Sequence, residues 1–363
     1  MVGRSHISEA ITKEWAGSYS PSHRFIATHG MNWSILGLSS VVPTNNSGIG
    51  PGGTRERLYP AAAGAESLST PTFSQLKASN ARKGNREQGF GYLDNDDSPD
   101  ITNPIHFTEV AKAYGFAGPL VGGVTVWGWA TDTILEARGK EWLDDGWAEY
   151  SFRHLTFPGD ILTVKVGLNA DLPSGTWEVT MINQSGEVCV VGKVGLGKAE
   201  WSGGLIRPQH MDPTPGSQQK ESLTLESADI GKDWRAMQLE FSKEAAREFT
   251  TKKQVTDNPL FVGEDAIAHP SWSAAWAEKL LRHNFDIPSS MHTRSRVQHL
   301  SRLATGTSVT GGAHPIDAYE RKAHHFANFD VLLVDQDGSD IVQMRHWTIF
   351  KIATLEERAR ITL

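Results

Sequence analysis

Asn103-Pro104-Ile105-His106 sets a side-chain amide and an imidazole around a proline turn. Gly115-Phe116-Ala117-Gly118-Pro119-Leu120-Val121-Gly122-Gly123-Val124 follows closely, and an apolar segment then runs to Leu135. The spacing predicts a short helical turn at the histidine, a glycine-rich loop, and a buried helix over Val124 to Leu135. Free N–H groups at the start of such a helix can polarise a carbonyl. An imidazole placed opposite can move a proton. Carbonyl polarisation with proton transfer is the chemistry of adding water to an acyl thioester, or removing it. The same residues also have a plainer reading. Asn-Pro is a common turn former, and a histidine after a turn often serves as a structural hydrogen-bonder.

Bulk properties bound the possibilities. The chain has 363 residues, enough for two domains or one large one. It is 39% hydrophobic and 21% charged, as expected of a globular protein. A net charge of −7 without a basic run argues against a nucleic-acid partner. No apolar stretch reaches membrane-spanning length, so no membrane is expected as a partner. Met1 to His6 lacks the apolar core of a signal peptide, and a cytoplasmic setting is expected. The single Cys189 rules out an intramolecular disulfide and reads as strand packing. No Cys/His spacing suits zinc, and no metal site is expected. There are 12 Trp residues. Trp127 and Trp129 fall on the apolar helix, Trp272 and Trp276 on a later one. They either fill the core or line a cavity for a bulky apolar ligand.

The elements that must position the motif follow from periodicity. Ile7, Ala10, Ile11 and Trp15 predict an N-terminal helix. Residues 40–88 are rich in Gly, Pro, Ser, Asn and Thr. They read as a long loop or insertion without a core-forming period, either functional or disordered. Strands are predicted over 149–157 and 161–166, and a hairpin over 177–194 turns at Asn183-Gln184-Ser185-Gly186. Residues 202–235 read as a linker. A helix over Lys243 to Phe249 and one from about Ser273 to His283 follow. Strands come next at 296–300, 323–334 and 341–352. The second half echoes the first. Asn258-Pro259-Leu260-Phe261 matches Asn103-Pro104-Ile105-His106, and Gln298-His299-Leu300 matches Arg153-His154-Leu155. The plan is a tandem duplication with units 1–201 and 236–363, in which strand-rich sheets wrap one helix each.

These residues, with Pro158-Gly159-Asp160 and Tyr319-Glu320-Arg321-Lys322, resemble the MaoC-like double hotdog family. That family includes R-specific enoyl-CoA hydratases and 3-hydroxyacyl dehydratases. The resemblance runs from about residue 89 onward and is weakest over 30–88. It implies an α+β fold, a tandem double hotdog with an acyl tunnel where the units meet. Family hydratases carry Asp-x-Asn-Pro-x-His, whose Asp and His act on a water. A glycine N–H at the start of the central helix holds the thioester oxygen. By position His106 and Asn103 match the motif, and Gly122 or Gly123 supplies the N–H. The Asp position, however, is Ile101. Asp100, one residue earlier, completes the pair only if the chain bulges, and Asp96 and Asp97 are further alternatives; each also reads as a solvated loop residue. Phe261 replaces the histidine in the second half, which therefore carries no copy of the site. His154 and His299 read as shared architecture. His269, before the second helix, either faces the cavity with Val124 and Trp127 or forms a simple turn.

The expectation is thus a hydro-lyase acting on an enoyl or 3-hydroxyacyl thioester. It needs no metal or redox cofactor, because the pantetheine arm arrives with the substrate. Two other classes remain open. One is an isomerase or cyclase of a natural-product pathway that reuses the cavity, and the other is a non-catalytic acyl-binding module. A tandem chain pairs its own units, so both monomer and homodimer are compatible.

Overall fold

The computed structural model describes residues 55–60, 103–216 and 219–361. The predicted N-terminal helix, most of the 40–88 segment, and Asp96, Asp97 and Asp100 lie outside the described residues. In the first half, the edge strand β1 (Arg55–Pro60) precedes α1 (Thr108–Ala113), α2 (Gly123–Gly128), α3 (Thr131–Arg138) and α4 (Trp142–Asp145). The strands β2 (Trp147–Phe152), β3 (Ile161–Leu168), β4 (Trp177–Asn183) and β5 (Val188–Gly195) follow. The connector contains a two-residue strand, β6 (Glu221–Ser222). The second half has β7 (Trp234–Phe241), α5 (Lys243–Glu248), α6 (Pro270–Ala274), α7 (Trp276–Asn284) and the short β8 (Phe285–Asp286). It ends with β9 (Met291–His299), β10 (Thr307–Arg321), β11 (His324–Val334), β12 (Asp340–Lys351) and α8 (Leu355–Ile361).

Ten strands form one antiparallel sheet in the order β1-β3-β4-β5-β2-β9-β12-β11-β10-β7. Read outward from its centre, the two halves have the same order. The halves join where β2 pairs with β9, from Trp147 opposite Gln298 to Ser151 opposite Arg294. Alternation explains the strands: Leu162, Val164 and Val166 of β3 are all fully buried on one face. That face packs under α3, as the outer strands β7 and β10 pack under α7. This is the α+β tandem arrangement the resemblance implied. Among the described residues no helix is long and apolar enough to cross a membrane.

The duplication can be aligned by its hydrogen bonds. His106 N donates to Asn103 O as Phe261 N donates to Asn258 O, so His106 and Phe261 are equivalent. Val121 N donates to Thr156 O as Ala268 N donates to Leu303 O. Arg153 N and His154 N share the Cys189 carbonyl; Leu300 N and Ser301 N share that of Ile341. His154 is therefore equivalent to Ser301, not to His299, which occupies the place of Phe152. The sequence match of the two histidines is a coincidence of register.

Three further expectations change. Residues 55–60, inside the segment read as a loop, form strand β1 on β3. The central helix of the first half is two helices, α2 and α3. Trp129 and Ala130 between them keep right-handed helical dihedrals. Strands β7 and β10 carried no clear strand signal. In β10, a Cβ on Gly311 would come within 2.5 Å of the Trp276 ring, so only glycine lets α7 lie this close. Pro315 falls at a bulge beyond the last β7 pair, where its missing N–H breaks no bond to β7.

One apolar cluster runs through both halves. Trp127 stacks on Tyr150 at 4.1 Å, and Trp272 packs against Phe241 and Trp276. Residues 236–363 expressed alone are expected to aggregate, because β9 would lose β2 and expose a strand edge beside uncovered core. A soluble fragment that unfolds cooperatively in denaturant would show that the second half folds independently.

Candidate functional site

Asn103 builds the start of the site. Its Oδ1 accepts from Ile105 N at 3.4 Å, capping the 3₁₀ turn Pro104–His106. The turn presents His106 inward, where it is 3% exposed. Its Nδ1 lies 2.7 Å from the Leu120 carbonyl. A carbonyl can only accept, so Nδ1 carries the proton and Nε2 carries a lone pair. That Nε2 is buried and has no hydrogen-bond partner among the described residues. Burial pushes the His106 pKa down to about 4, against the Leu120 hydrogen bond and the charge of Glu278, which raise it. At neutral pH His106 is an uncharged base. After α1 the chain reverses at Gly115, whose φ of +82° favours glycine. Arg358 of α8 donates to the adjacent Tyr114 carbonyl and pins this loop.

The cavity beside His106 holds about 650 Å³ of atom-free space, its mouth included. The first half contributes Asn103, His106, Val121, Gly123, Val124, Phe152 and His154 to the wall. The second contributes Ala274, Glu278, Ser290, Met291, His292 and His346. An equivalent but smaller cavity of about 280 Å³ lies in the second half, along Ala268, Pro270, His299, Ser301 and Leu303. Through the hydrogen-bond alignment, Ala268, Pro270, His299, Ser301 and Leu303 fall where Val121, Gly123, Phe152, His154 and Thr156 line the first cavity, whereas Ile341 and Val342 have no counterpart there. The second half thus keeps a reduced version of the cavity, and Phe261 stands where His106 stands in the first.

The predicted site residues separate into groups. His106, Asn103, Gly123 and Val124 line one cavity. Gly122 caps α2 behind them. All polar atoms of the Asn103 side chain are engaged. Its amide donates to the Ser290 carbonyl at 2.9 Å and the Ser290 hydroxyl at 3.0 Å, and its Oδ1 accepts from Ser290 N at 3.2 Å. It joins the halves rather than facing a reactant. Trp127 is core, stacked on Tyr150 and pressed against Gly192. His269 does not line the cavity. It caps α6, accepting from Ser271 N at 3.2 Å, and packs on Phe261 at 4.6 Å. The turn reading of His269 and the core reading of Trp127 fit these contacts.

Several residues carried no sequence signal. Glu278 sits on α7, where every residue is buried. In sequence it pairs with Arg282 at i,i+4, the pattern of a solvated helix face. His292 and His346 stack with ring centroids 4.2 Å apart. His292 Nε2 lies 2.7 Å from Ser295 Oγ. Desolvation holds both imidazoles below their ordinary range, His346 at about 3. They form an uncharged floor. Replacing Gly123 with Val is expected to impair turnover of an enoyl thioester. A Cβ there would lie 3.0 Å from both His292 Nδ1 and Phe152 Cζ, crowding the start of α2. Unchanged kcat and KM in a folded Gly123→Val protein would place carbonyl recognition elsewhere.

No family model and no curated protein matches the sequence. Solved structures do. A MaoC-like dehydratase is 12% identical over 82% of this chain and 98% of its own, with a TM-score of 0.50. A MaoC domain protein of Chloroflexus aurantiacus J-10-fl is 10% identical over 84% of this chain and 96% of its own, also at 0.50. A Mycobacterium tuberculosis protein with a double hotdog fold is 11% identical over 83% and 96%, at 0.49. At these identities the likeness is one of fold: the chain has the double hotdog fold of the MaoC-like proteins.

Proposed function

We propose that the chain catalyses the reversible addition of water to a 2-enoyl thioester, with His106 as the group that moves the proton. The observation that carries this reading is the uncharged His106 imidazole. Its Nδ1–H is tied to the Leu120 carbonyl and its Nε2 is left unbonded beside a cavity walled by both halves. In hydration Nε2 takes a proton from water while the water oxygen bonds to the β-carbon. The π electrons of the double bond shift toward the thioester oxygen, and the imidazolium then returns the proton to the α-carbon. Atoms and charge balance with no further reactant. The developing oxygen charge would be met by N–H groups at Gly122 and Gly123, where α2 begins. The pantetheine arm belongs to the substrate.

The fold neighbours named as MaoC-like dehydratases support acyl-thioester chemistry at the level of fold. The isomerase or cyclase alternative drew on the missing carboxylate at Ile101, the Gly/Pro-rich segment and, for a cavity shaped to a bulky ligand, the tryptophans. Trp127, Trp129, Trp272 and Trp276 are all core residues, which removes the tryptophan part of that support. The test is a panel of trans-2-enoyl-CoA substrates from short to bulky, followed by loss of the conjugated thioester absorbance. Hydration of at least one, abolished in His106→Ala, is the expected result. No turnover of any thioester, with acyl-CoA still binding in a Trp-fluorescence titration, would make the chain a binding module instead.

A further inference from the structure

The geometry points to Glu278, contributed by the second half, as a second catalytic residue that holds and orients the attacking water against His106. This inference rests on the hydratase reading above. Glu278 is 9% exposed and lines the same cavity as His106. One carboxylate oxygen, Oε1, is fully committed. It accepts from Arg282 Nε at 2.7 Å and from the Ser290 hydroxyl. Arg282 is held in turn by the Ile287 carbonyl at 2.9 Å and the Ser290 hydroxyl at 3.1 Å. The other oxygen, Oε2, accepts no hydrogen bond from the described residues and is not sealed from solvent. It is the oxygen available to a molecule in the cavity.

A buried ion pair alone explains Glu278 and Arg282 only in part. It does not explain why the pair is tied to the Asn-Pro-Ile-His turn of the other half. Asn103 grips Ser290 through three hydrogen bonds, and Ser290 grips Glu278. The same short chain of contacts that places His106 therefore places the carboxylate. Any shift of one half against the other would break these bonds and separate the two groups.

The chemistry suits the pair. A water between them would give one O–H to His106 Nε2 and the other to Glu278 Oε2, leaving an oxygen lone pair for the β-carbon. The first proton goes to Nε2, and the second stays on the oxygen as the product hydroxyl. Glu278 exchanges no proton in this step. Its negative charge is the counter-charge for the imidazolium that forms transiently, which burial otherwise disfavours. The field of Glu278 already raises the His106 pKa in the resting protein. The motif position occupied by Ile101 carries no carboxylate; Glu278 supplies one from the partner unit of the same chain.

The test uses the full chain with trans-2-octenoyl-CoA as substrate and octanoyl-CoA as an unreactive probe of binding. Glu278→Gln keeps the shape, and Glu278→Asp keeps the charge but retracts it from the cavity. Both are expected to lower kcat about a hundredfold or more. Octanoyl-CoA affinity should stay within about threefold and thermal midpoints near wild type, since a positioned water contributes to turnover more than to ground-state binding. Ser290→Ala, which keeps both charged side chains but removes the hydroxyl that bonds Glu278, Arg282 and Asn103, is expected to lower kcat about tenfold. That variant decides the matter if the Glu278 variants fail to fold. A folded Glu278 variant, or Ser290→Ala, with wild-type kcat while His106→Ala is inactive would overturn the role and leave the hydratase reading standing. Wild-type protein inert toward every enoyl thioester would overturn both.

Discussion

His106→Ala is expected to lower kcat for enoyl thioester hydration by about a hundredfold or more, the size expected for a positioned acid–base group. KM changes little, because Nε2 meets a proton rather than the bound acyl group. The cause is specific to one nitrogen. Leu120 O holds Nδ1–H at 2.7 Å, so the ring cannot turn its lone pair away from the cavity. His106→Gln, which can accept a hydrogen bond but cannot carry a proton at these pH values, should be as poor as Ala. The pH profile is a second check. With its pKa near 4, His106 stays an active base as pH falls through the ordinary histidine range. Activity should therefore show no loss centred at 6.5 from this group, and should fall only where the protein itself unfolds. A folded, fully active His106→Ala protein would remove proton transfer and leave the fold alone.

Local chemistry made the turn, the glycine loop and the hairpin legible. Asn103-Pro104 specifies its own cap two residues on, and Asn183 to Gly186 specifies the β4–β5 turn; neither needs a distant partner. The echo at Asn258 was legible for the same reason, and the hydrogen bonds repeat it atom for atom. What required tertiary context was hidden. Gly311 looks like a strand breaker until Trp276 is laid across it. Glu278 and Arg282 look like a solvated i,i+4 pair until α7 is buried on all sides. His154 and His299 align as letters but not as hydrogen-bonded positions. In each case a residue chosen for a neighbour far along the chain gave a false local signal or none. The proposed site is the extreme instance, since His106 and Glu278 line one cavity from different units.

Acidification should unfold this protein between about pH 6 and 4, well above the range where carboxylates alone would act. His106, His269, His299 and His346 are fully enclosed, with pKa values pushed down to about 4, 3, 4 and 3; His292 lies well below its ordinary value too. Desolvation is the leading cause in all five. In the unfolded chain each would titrate near 6.5. Below that pH the unfolded state binds more protons than the folded state, so stability falls as pH drops, and the loss continues until the folded pKa is reached. Each of the four with a folded value near 3 or 4 costs on the order of 1 kcal/mol by one pH unit below 6.5, and His292 adds to the loss in the same direction. Together they remove several kcal/mol, a large part of the stability of a typical domain at about 5–15 kcal/mol. Urea midpoints measured from pH 7.5 to 5 should therefore fall steeply, and a flat profile would contradict the burial of these rings. One substitution isolates a single proton. His299 packs edge-on against Trp142 at 4.8 Å and occupies the position held by Phe152 in the first half. His299→Phe should fold, and should reduce proton uptake on unfolding near pH 5.5 by about one. An unchanged pH slope in that variant would mean that His299 is charged, or open to water, in the native protein.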